Sequence, residues 1–384
     1  MRPLRGREGR YRALRARPRF SRGLEVRESG SRGGPSASEA EGRLPAAIAA
    51  AVSPLTPLRA CKPAGSLRRI SGTPRDAPRS VTNPRRIPMP KTTFAVCRRV
   101  HDRRFLLRPD EKLTALVTWL FATLAPLFGL ELNALTVMSS HFHAVVTVED
   151  QRMSDFFRDF DSFLAKAVNV LRRARRGIVW APGELGIVEC KTVEAEIFEI
   201  AYAIVNPVAA GLVWEPKDWP GLSIQVEDLG RRVLEGVRPG FFFDARFWER
   251  DASLAVTLPP RMLAELGEEV SRRRIAAEVK RQVAEAHADI KARGYRVLGR
   301  VAARNVSPYK RAKTWETFGV IHPNFATGPG CVVERIEAAI ELKTFRTEYR
   351  ACWRRYQAGE RDVVFPYGTM LMRVRHGVRV ADPP

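Results

Sequence analysis

Cysteine, histidine and acidic side chains are all scarce in this chain, and each shortage narrows what it can do. Five cysteines in 384 residues (Cys61, Cys97, Cys190, Cys331 and Cys352) never fall in a Cys-x-x-Cys spacing. That pattern excludes a disulfide framework and a zinc ribbon, and it fits a reducing cytoplasm. Long apolar runs are also lacking. The segment LPAAIAAAVSPL, residues 44–55, is short, broken by Ser and Pro, and too far along the chain for an ordinary signal peptide, so no membrane partner is expected. Acidic residues number 42 against 65 Lys+Arg, giving a formal charge of +23. An imbalance of that size speaks about partners rather than fold, and polyanions are the first candidates.

Hydrophobic residues make up 45% of the chain, enough for a sizeable core and for two domains or one domain with extensions. The excess positive charge is concentrated at the start. Residues 1–90 hold 20 Lys+Arg and 6 Asp+Glu, which leaves +9 for the remainder. Arg, Pro, Gly and Ser dominate residues 1–88 and no apolar period is sustained. Such a segment cannot bury enough apolar surface to offset its ordering entropy, so it is expected to be disordered. It is either a flexible basic arm or an over-long gene start with initiation at Met89.

From residue 91 the periods become regular. Residues 92–100 read as a strand, and 109–129 as a helix with acidic residues in its first turn and a Gly stop. Residues 131–138 and 141–148 read as a hairpin turning at Ser139-Ser140. A helix over 153–177 is expected to start at Ser154 as N-cap and to finish in a basic end. A strand follows over 186–193. The next helix, 194–208, should stop near Asn206, because Pro207 disfavours a helical residue before it. The order β-α-β-β-α-β-α predicts an α+β fold, a ferredoxin-like antiparallel sheet with helices on one face, over residues 91–225.

Residues 226–384 read as a mainly helical C-terminal region. A charged helix over 259–294 has the look of a solvated or partner-packing element. Another over 329–360 carries Phe345, Tyr349, Trp353 and Tyr356 at helical spacing, expected to be core rather than a base-stacking platform. Residues 363–380 read as a closing β-hairpin.

The chain has six histidines, and two of them sit in VMSSHFHAVVTVE, residues 137–149. Successive side chains on a strand point to opposite faces, so His141 and His143 share one face and Phe142 takes the other. Two imidazoles so placed can ligate one divalent cation, or they can simply hydrogen-bond at a strand edge. In AYAIVNPVAAGLVWEPKDWPG, Tyr202 and Asn206 lie at i and i+4 of a helix and therefore on one side of it. They could be core packing and a cap, or a nucleophile and a third ligand.

Together MSSHFHAVV and YAIVNPVAAGLVWEPKDWPG closely resemble the single-tyrosine HUH transposases, specifically the REP-associated tyrosine transposase-like group of the IS200-like superfamily. CRRVHDRRFLLRPDE (97–111) and VNVLRRARRGIVWAPGE (168–184) look like that group's first-strand region and basic helix. The resemblance covers residues 91–225, with a weaker echo at 362–378. It implies His141, His143 and Asn206 as metal ligands for Mg²⁺ or Mn²⁺ and Tyr202 as the nucleophile. Two positions depart from the group: Ser140 stands where Asn is common, and Ala209 where Arg is common. The second change bears on a DNA contact.

The implied reaction is metal-dependent nicking and rejoining of single-stranded or hairpin DNA through a 5′-phosphotyrosine. A hard divalent ion would neutralise charge on the phosphodiester, and Tyr202, with an ordinary pKa near 10, would lose its proton during attack. Lys166, Arg172, Arg173, Arg175 and Arg176 are the candidate DNA-backbone contacts. Trp180 is either a base-stacking ring or a packed turn residue. The protein would work in the bacterial cytoplasm, nucleoid-associated when bound to DNA, as a monomer or a dimer. Two other functions fit the same residues: a catalytically inactive or domesticated DNA-binding protein, and a metal-dependent hydrolase that forms no covalent DNA adduct.

Overall fold

The structure, a computed structural model, describes residues 91–149, 152–174, 177–182, 185–312, 324–369, 372–373 and 376–382. The expectation for residues 1–88, and the candidates Arg175 and Arg176, lie outside the described residues.

Strand β1 (Thr92–Arg99) opens the sheet. Helix α1 (Glu111–Leu124) is capped by Asp110, whose carboxylate accepts from the Leu113 amide at 3.0 Å, and Gly129, at φ 61°, ends the 3₁₀ turn Ala125–Phe128 that follows it. Strands β2 (Leu130–Val137) and β3 (His141–Val148) form the expected hairpin, closed by the Met138 amide donating to the His141 carbonyl. Helix α2 (Met153–Leu171), strand β4 (Gly186–Cys190) and helix α3 (Val193–Ala209) complete the series. Strand order is β2-β3-β1-β4, antiparallel throughout, which is the ferredoxin-like arrangement. A two-residue strand β7 (Phe325–Ala326) adds a parallel fifth member beside β4.

The two faces of the sheet are unlike. Phe142 meets Phe160 of α2 and Trp180, while Phe121 of α1 meets Phe156 and Phe160. Helices α1 and α2 therefore cover one face with an aromatic core. The opposite face, carrying His141 and His143, is covered by α3, so helices lie on both faces of the sheet and not on one as the order of elements predicts. Helix α4 (Pro260–Ala292), broken at Gly267, lies in turn along α3. Of the two readings of this charged helix, solvated or partner-packing, the structure thus gives it a packing role, against α3 of the same chain. Its Val279, Val283 and Ala286 meet Val205 and Val208, Gln282 donates to the Phe198 carbonyl, and Arg274 pairs with Glu194.

Beyond α3, strands β5 (Val233–Val237) and β6 (Asp251–Ala255) form a hairpin that the sequence pattern does not announce. Gly236 presses on the backbone of Trp119, where an added Cβ would come within 2.5 Å of the Trp119 Cα. The buried cluster that holds Phe94, Phe121 and Ile204 also includes Leu234, Met262 and Ile275, so one core runs across position 225. A short helix α5 (Arg300–Asn305) follows α4. Helix α6 (Val332–Gln357) turns Tyr349, Trp353 and Tyr356 onto a small cluster with Val363, Phe365 and Met372, the packing role expected of its aromatic stripe.

Several local expectations are corrected. Strand β8 (Val364–Phe365) pairs with β9 (Arg379–Val380) in parallel, so the segment is not a hairpin. Helix α2 starts at Met153, which is buried, and Ser154 falls in its first turn without capping it. Helix α3 runs through Pro207 to Ala209. Proline there forfeits one bond to the Ala203 carbonyl, a loss outweighed by burial of Val205, Pro207 and Val208. Finally, Glu111–Phe128 is long and apolar enough to cross a bilayer by length and composition, though no such run stands out in the sequence. More than half of it is buried in the core, where Leu116, Trp119, Leu120 and Leu124 are inaccessible.

Arg172 is the most consequential correction. Its side chain is buried, not presented to DNA. Nε donates to the Leu106 carbonyl at 3.0 Å, Nη2 to the Arg108 carbonyl at 3.2 Å, and Nη1 pairs with the capping Asp110. The Tyr309 hydroxyl donates to the Arg172 carbonyl. Arg172 therefore ties the end of α2 to the start of α1. Breaking a buried pair strands its partner, so Arg172→Ala should cost about 3 kcal/mol in urea unfolding while leaving the salt dependence of DNA binding unchanged.

Candidate active site between strand β3 and helix α3

The alternation of β3 brings His141 and His143 side by side beneath α3, with ring centroids 4.9 Å apart and planes nearly perpendicular. Both are buried, at 8% and 7% exposure. Nε2 of His141 lies 3.3 Å from Oδ1 of Asn206, and Nδ1 lies 3.1 Å from the Ser140 hydroxyl. The Tyr202 ring stands edge-on to His143 at 5.3 Å. The strand pair and the helix pair read from the sequence therefore meet. All four side chains converge on one face of the sheet.

The register adds groups that spacing alone does not reveal. Arg99 of β1 is directly opposite His141, and Cys97 is opposite His143, so both share the histidine face. The Cys97 sulfur lies 3.9 Å from His143 Nε2. Glu199 sits one turn before Tyr202 on α3. Arg99 carries no signal in the sequence beyond its place one strand over. Glu199 could have been found by extending the Tyr202–Asn206 face one turn back.

Electrostatics are dominated by burial. Desolvation, with Arg99 adding to it, lowers His141 to about 4, against a smaller opposing hydrogen bond from Asn206. His143 is lowered by the same burial, then by His141 and Arg99. Both imidazoles are therefore neutral at pH 7, the state a metal ligand needs. Burial also pushes Tyr202 well above its ordinary value, reinforced by Cys97 and Glu199 and opposed by Arg99 and by a hydrogen bond with Asn206. Glu199 is raised to about 7 by burial.

One pair of these side chains is spaced as two ligands of a divalent ion would be. Two ligands each ~2.1 Å from one ion and roughly 90–110° apart are separated by ~3.0–3.4 Å, which matches the spacing of His141 Nε2 and Asn206 Oδ1. With the proton on Nδ1, the Ser140 hydroxyl accepts it and Nε2 is left bare. With the proton on Nε2, that nitrogen donates to Asn206 and Ser140 donates to Nδ1. Ser140 thus orients the His141 imidazole, the position that a supporting residue would take if that ring ligated an ion. Among the described residues no group of three His, Cys, Asp or Glu gathers at a metal-binding spacing, and the candidate donors here, two imidazoles and an amide, are all neutral.

The DNA-contact candidates are placed less favourably. Lys166 is exposed on α2, across the sheet from the histidines, with its ammonium 5.7 Å from the Phe163 ring. Arg173 is exposed but lies beyond the end of α2 in a left-handed turn at φ 53°, so it does not continue the helix face of Lys166. Trp180 is a packed turn residue. Its indole donates to the Asp161 carbonyl at 2.8 Å, and Arg98 lies over its ring.

No protein-family model matches the chain, and no curated protein matches it in sequence. Among solved structures, a REP-associated tyrosine transposase bound to a REP hairpin is similar over 43% of this chain and 92% of its own, at 20% identity and a TM-score of 0.33. A likeness that slight says nothing by itself about chemistry.

If His141 and Asn206 share an ion, replacing either by Ala should weaken Mn²⁺ binding by tenfold or more in calorimetric titration, and Ser140→Ala should weaken it less. Equal Mn²⁺ affinity in wild type and both Ala variants would remove the metal assignment.

Proposed function

We propose that the chain is a DNA nicking and joining enzyme of the single-tyrosine HUH type, acting on single-stranded or hairpin DNA. The observation that supports this reading above all is the convergence of His141, His143, Asn206 and Tyr202 at one buried spot, from two elements whose His141 and Asn206 lie 65 residues apart in sequence. A metal-binding site alone would not call for the tyrosine beside it.

In this reading His141, His143 and Asn206 would hold Mg²⁺ or Mn²⁺, which when bound withdraws charge from the phosphate oxygens. Arg99, on the same sheet face, adds a fixed positive charge toward the same phosphate. Tyr202 Oη attacks phosphorus, forming an O–P bond to the 5′ side while the bond to the 3′ oxygen breaks. The phenol proton passes to Glu199 and then to the departing 3′-hydroxyl. A carboxyl held at about 7 suits that traffic, because it can both accept and return a proton at neutral pH. The phosphotyrosine retains the bond energy, so rejoining is the same step reversed.

Covalent capture tests this directly. With Mn²⁺ and a library of end-labelled hairpins, wild type should form a protein–DNA adduct that carries the 3′-end label while the 5′-end label leaves with the released 3′-hydroxyl fragment, and Tyr202→Phe should form no adduct. An adduct surviving in Tyr202→Phe would disprove the nucleophile. Absence of any adduct in wild type, with metal-dependent cleavage present, would favour the hydrolase reading; absence of both would favour a non-catalytic DNA-binding protein.

Comparing the pH profiles of wild type and a Glu199 variant isolates that residue, since Asp161 and Glu196 are raised to about the same value. Since the base must be unprotonated, the rate of adduct formation should rise with pH through about 7 and then level off. Histidine cannot supply that limb, because His141 titrates at about 4. In Glu199→Gln the rate should fall and the limb near pH 7 should disappear. A profile unchanged by the substitution would remove Glu199 from the proton path.

A further inference from the structure

Helix α6 sorts its charges by face. At 100° per residue, Lys343, Arg346, Arg350 and Arg354 fall within about 80° of one another. Glu334, Glu337, Glu341 and Glu348 cluster on nearly the opposite side, and the face toward Phe365 and Val363 carries Phe345, Tyr349 and Tyr356. Lys343, Arg350 and Arg354 are exposed and Arg346 is half-buried. Among the described residues none of the four forms an ion pair, and the Arg346 Nε is covered without a hydrogen-bond partner. Neighbouring cations behave differently: Arg355 pairs with Glu360, and Arg379 with Asp362.

This arrangement does not serve the helix itself. Arg346–Arg350 and Arg350–Arg354 are like charges at i and i+4, which repel along a helix. A helix charged only for solubility would interleave signs, as α4 does where Arg281 bridges Glu278 and Glu285. A row of repelling cations gains when it meets a linear anion of similar pitch. From Lys343 to Arg354 the row is about 16 Å long. One strand of a duplex presents a phosphate for every ~3.4 Å of axis, so the row would face about four or five phosphates. A lipid surface fits less well, since the exposed apolar residues of this helix, Ile336 and Ile340 among them, lie in its first half and not beneath the cations.

We propose that α6 is a nucleic-acid backbone surface, on which Lys343, Arg346, Arg350 and Arg354 hold the duplex stem of a DNA substrate without reading its sequence. The choice of DNA rests on the function proposed above; the phosphate contact does not.

The test measures binding of a fluorescent 20-bp duplex by the full chain at several KCl concentrations. Arg350→Ala/Arg354→Ala should flatten the slope of log K against log[KCl] by about two, and adding Lys343→Ala and Arg346→Ala should flatten it by up to about four. Arg355→Ala, which removes a paired arginine, should leave the slope nearly unchanged. All variants should keep the wild-type circular dichroism, since the altered side chains are mostly exposed. Covalent adduct formation at saturating hairpin should stay near wild type, so a loss of salt slope with adducts intact, or with no adducts in any protein, supports this surface independently of the proposed chemistry. An unchanged slope in the fourfold variant would overturn the proposal. So would a fourfold variant that binds duplex normally but no longer binds vesicles containing phosphatidylserine.

Discussion

Two imidazoles held 4.9 Å apart beneath a helix can stay there only if neither carries a charge. That constraint organises the rest of the molecule. The histidines must be dry, so α3 has to lie flat over β1 and β3, and α3 must itself be pinned from outside. Helix α4 does this with Val279, Val283 and Ala286 against Val205 and Val208, an ion pair from Arg274 to Glu194, and Gln282 bonded to the Phe198 carbonyl. The desolvation that makes protonation costly also leaves ring nitrogens free to ligate. Burial here serves the site as much as the fold.

Strand β3 separates these duties by alternation. Phe142 and its neighbours on one side join Phe121, Phe156 and Phe160 in a core of edge-to-face rings. On the other side the strand carries His141, His143 and Thr147. The last starts a polar line in which the Thr147 hydroxyl bonds Asn133 at 2.8 Å and Asn133 reaches Thr257. Buried polar groups on this face are mostly satisfied. Glu196 is the exception: fully buried on α3 beside Thr93, with no well-formed hydrogen bond among the described residues, it is raised to about 7 by desolvation. Because its folded-state value lies above the ordinary carboxylate range, the stability it favours is complete below pH 4.5 and is lost as pH rises through 7.

Much of this was legible in the sequence because it follows from periods. The two-residue repeat placed His141 and His143 on one face and Phe142 on the other, and the helical repeat placed Tyr202 with Asn206. The order of elements was enough for the ferredoxin-like sheet. What escaped was decided by tertiary contact. A basic residue at the end of a helix has the same local signature whether it faces phosphate or, like Arg172, fills a buried junction with Asp110 and the Leu106 carbonyl. Pro207 looks like a stop until Val205 and Val208 are seen to be packed on both sides. Strands β7, β8 and β9, two residues each, have no period to read. Arg99 gains meaning only from the register of β1, whereas Glu199 lay within reach of the helical repeat, one turn before Tyr202.

The charge balance of the site bears on what it can bind. His141, His143 and Asn206 are all neutral donors, so an ion held by them would keep its full positive charge for another ligand. Arg99 stands on the same face and is itself a cation. Against these, burial raises Glu199 to about 7 and pushes Tyr202 well above its ordinary value, so at neutral pH the phenol is uncharged and Glu199 carries only part of a negative charge. A pocket so arranged favours an anion that brings its own charge and can lie against both Arg99 and the His141–Asn206 pair. In the reading proposed above, a phosphodiester would be such an anion; its own charge would hold the Tyr202 proton more firmly still, so Arg99 and a bound cation would have to offset that charge before the phenol could ionise and act as a nucleophile.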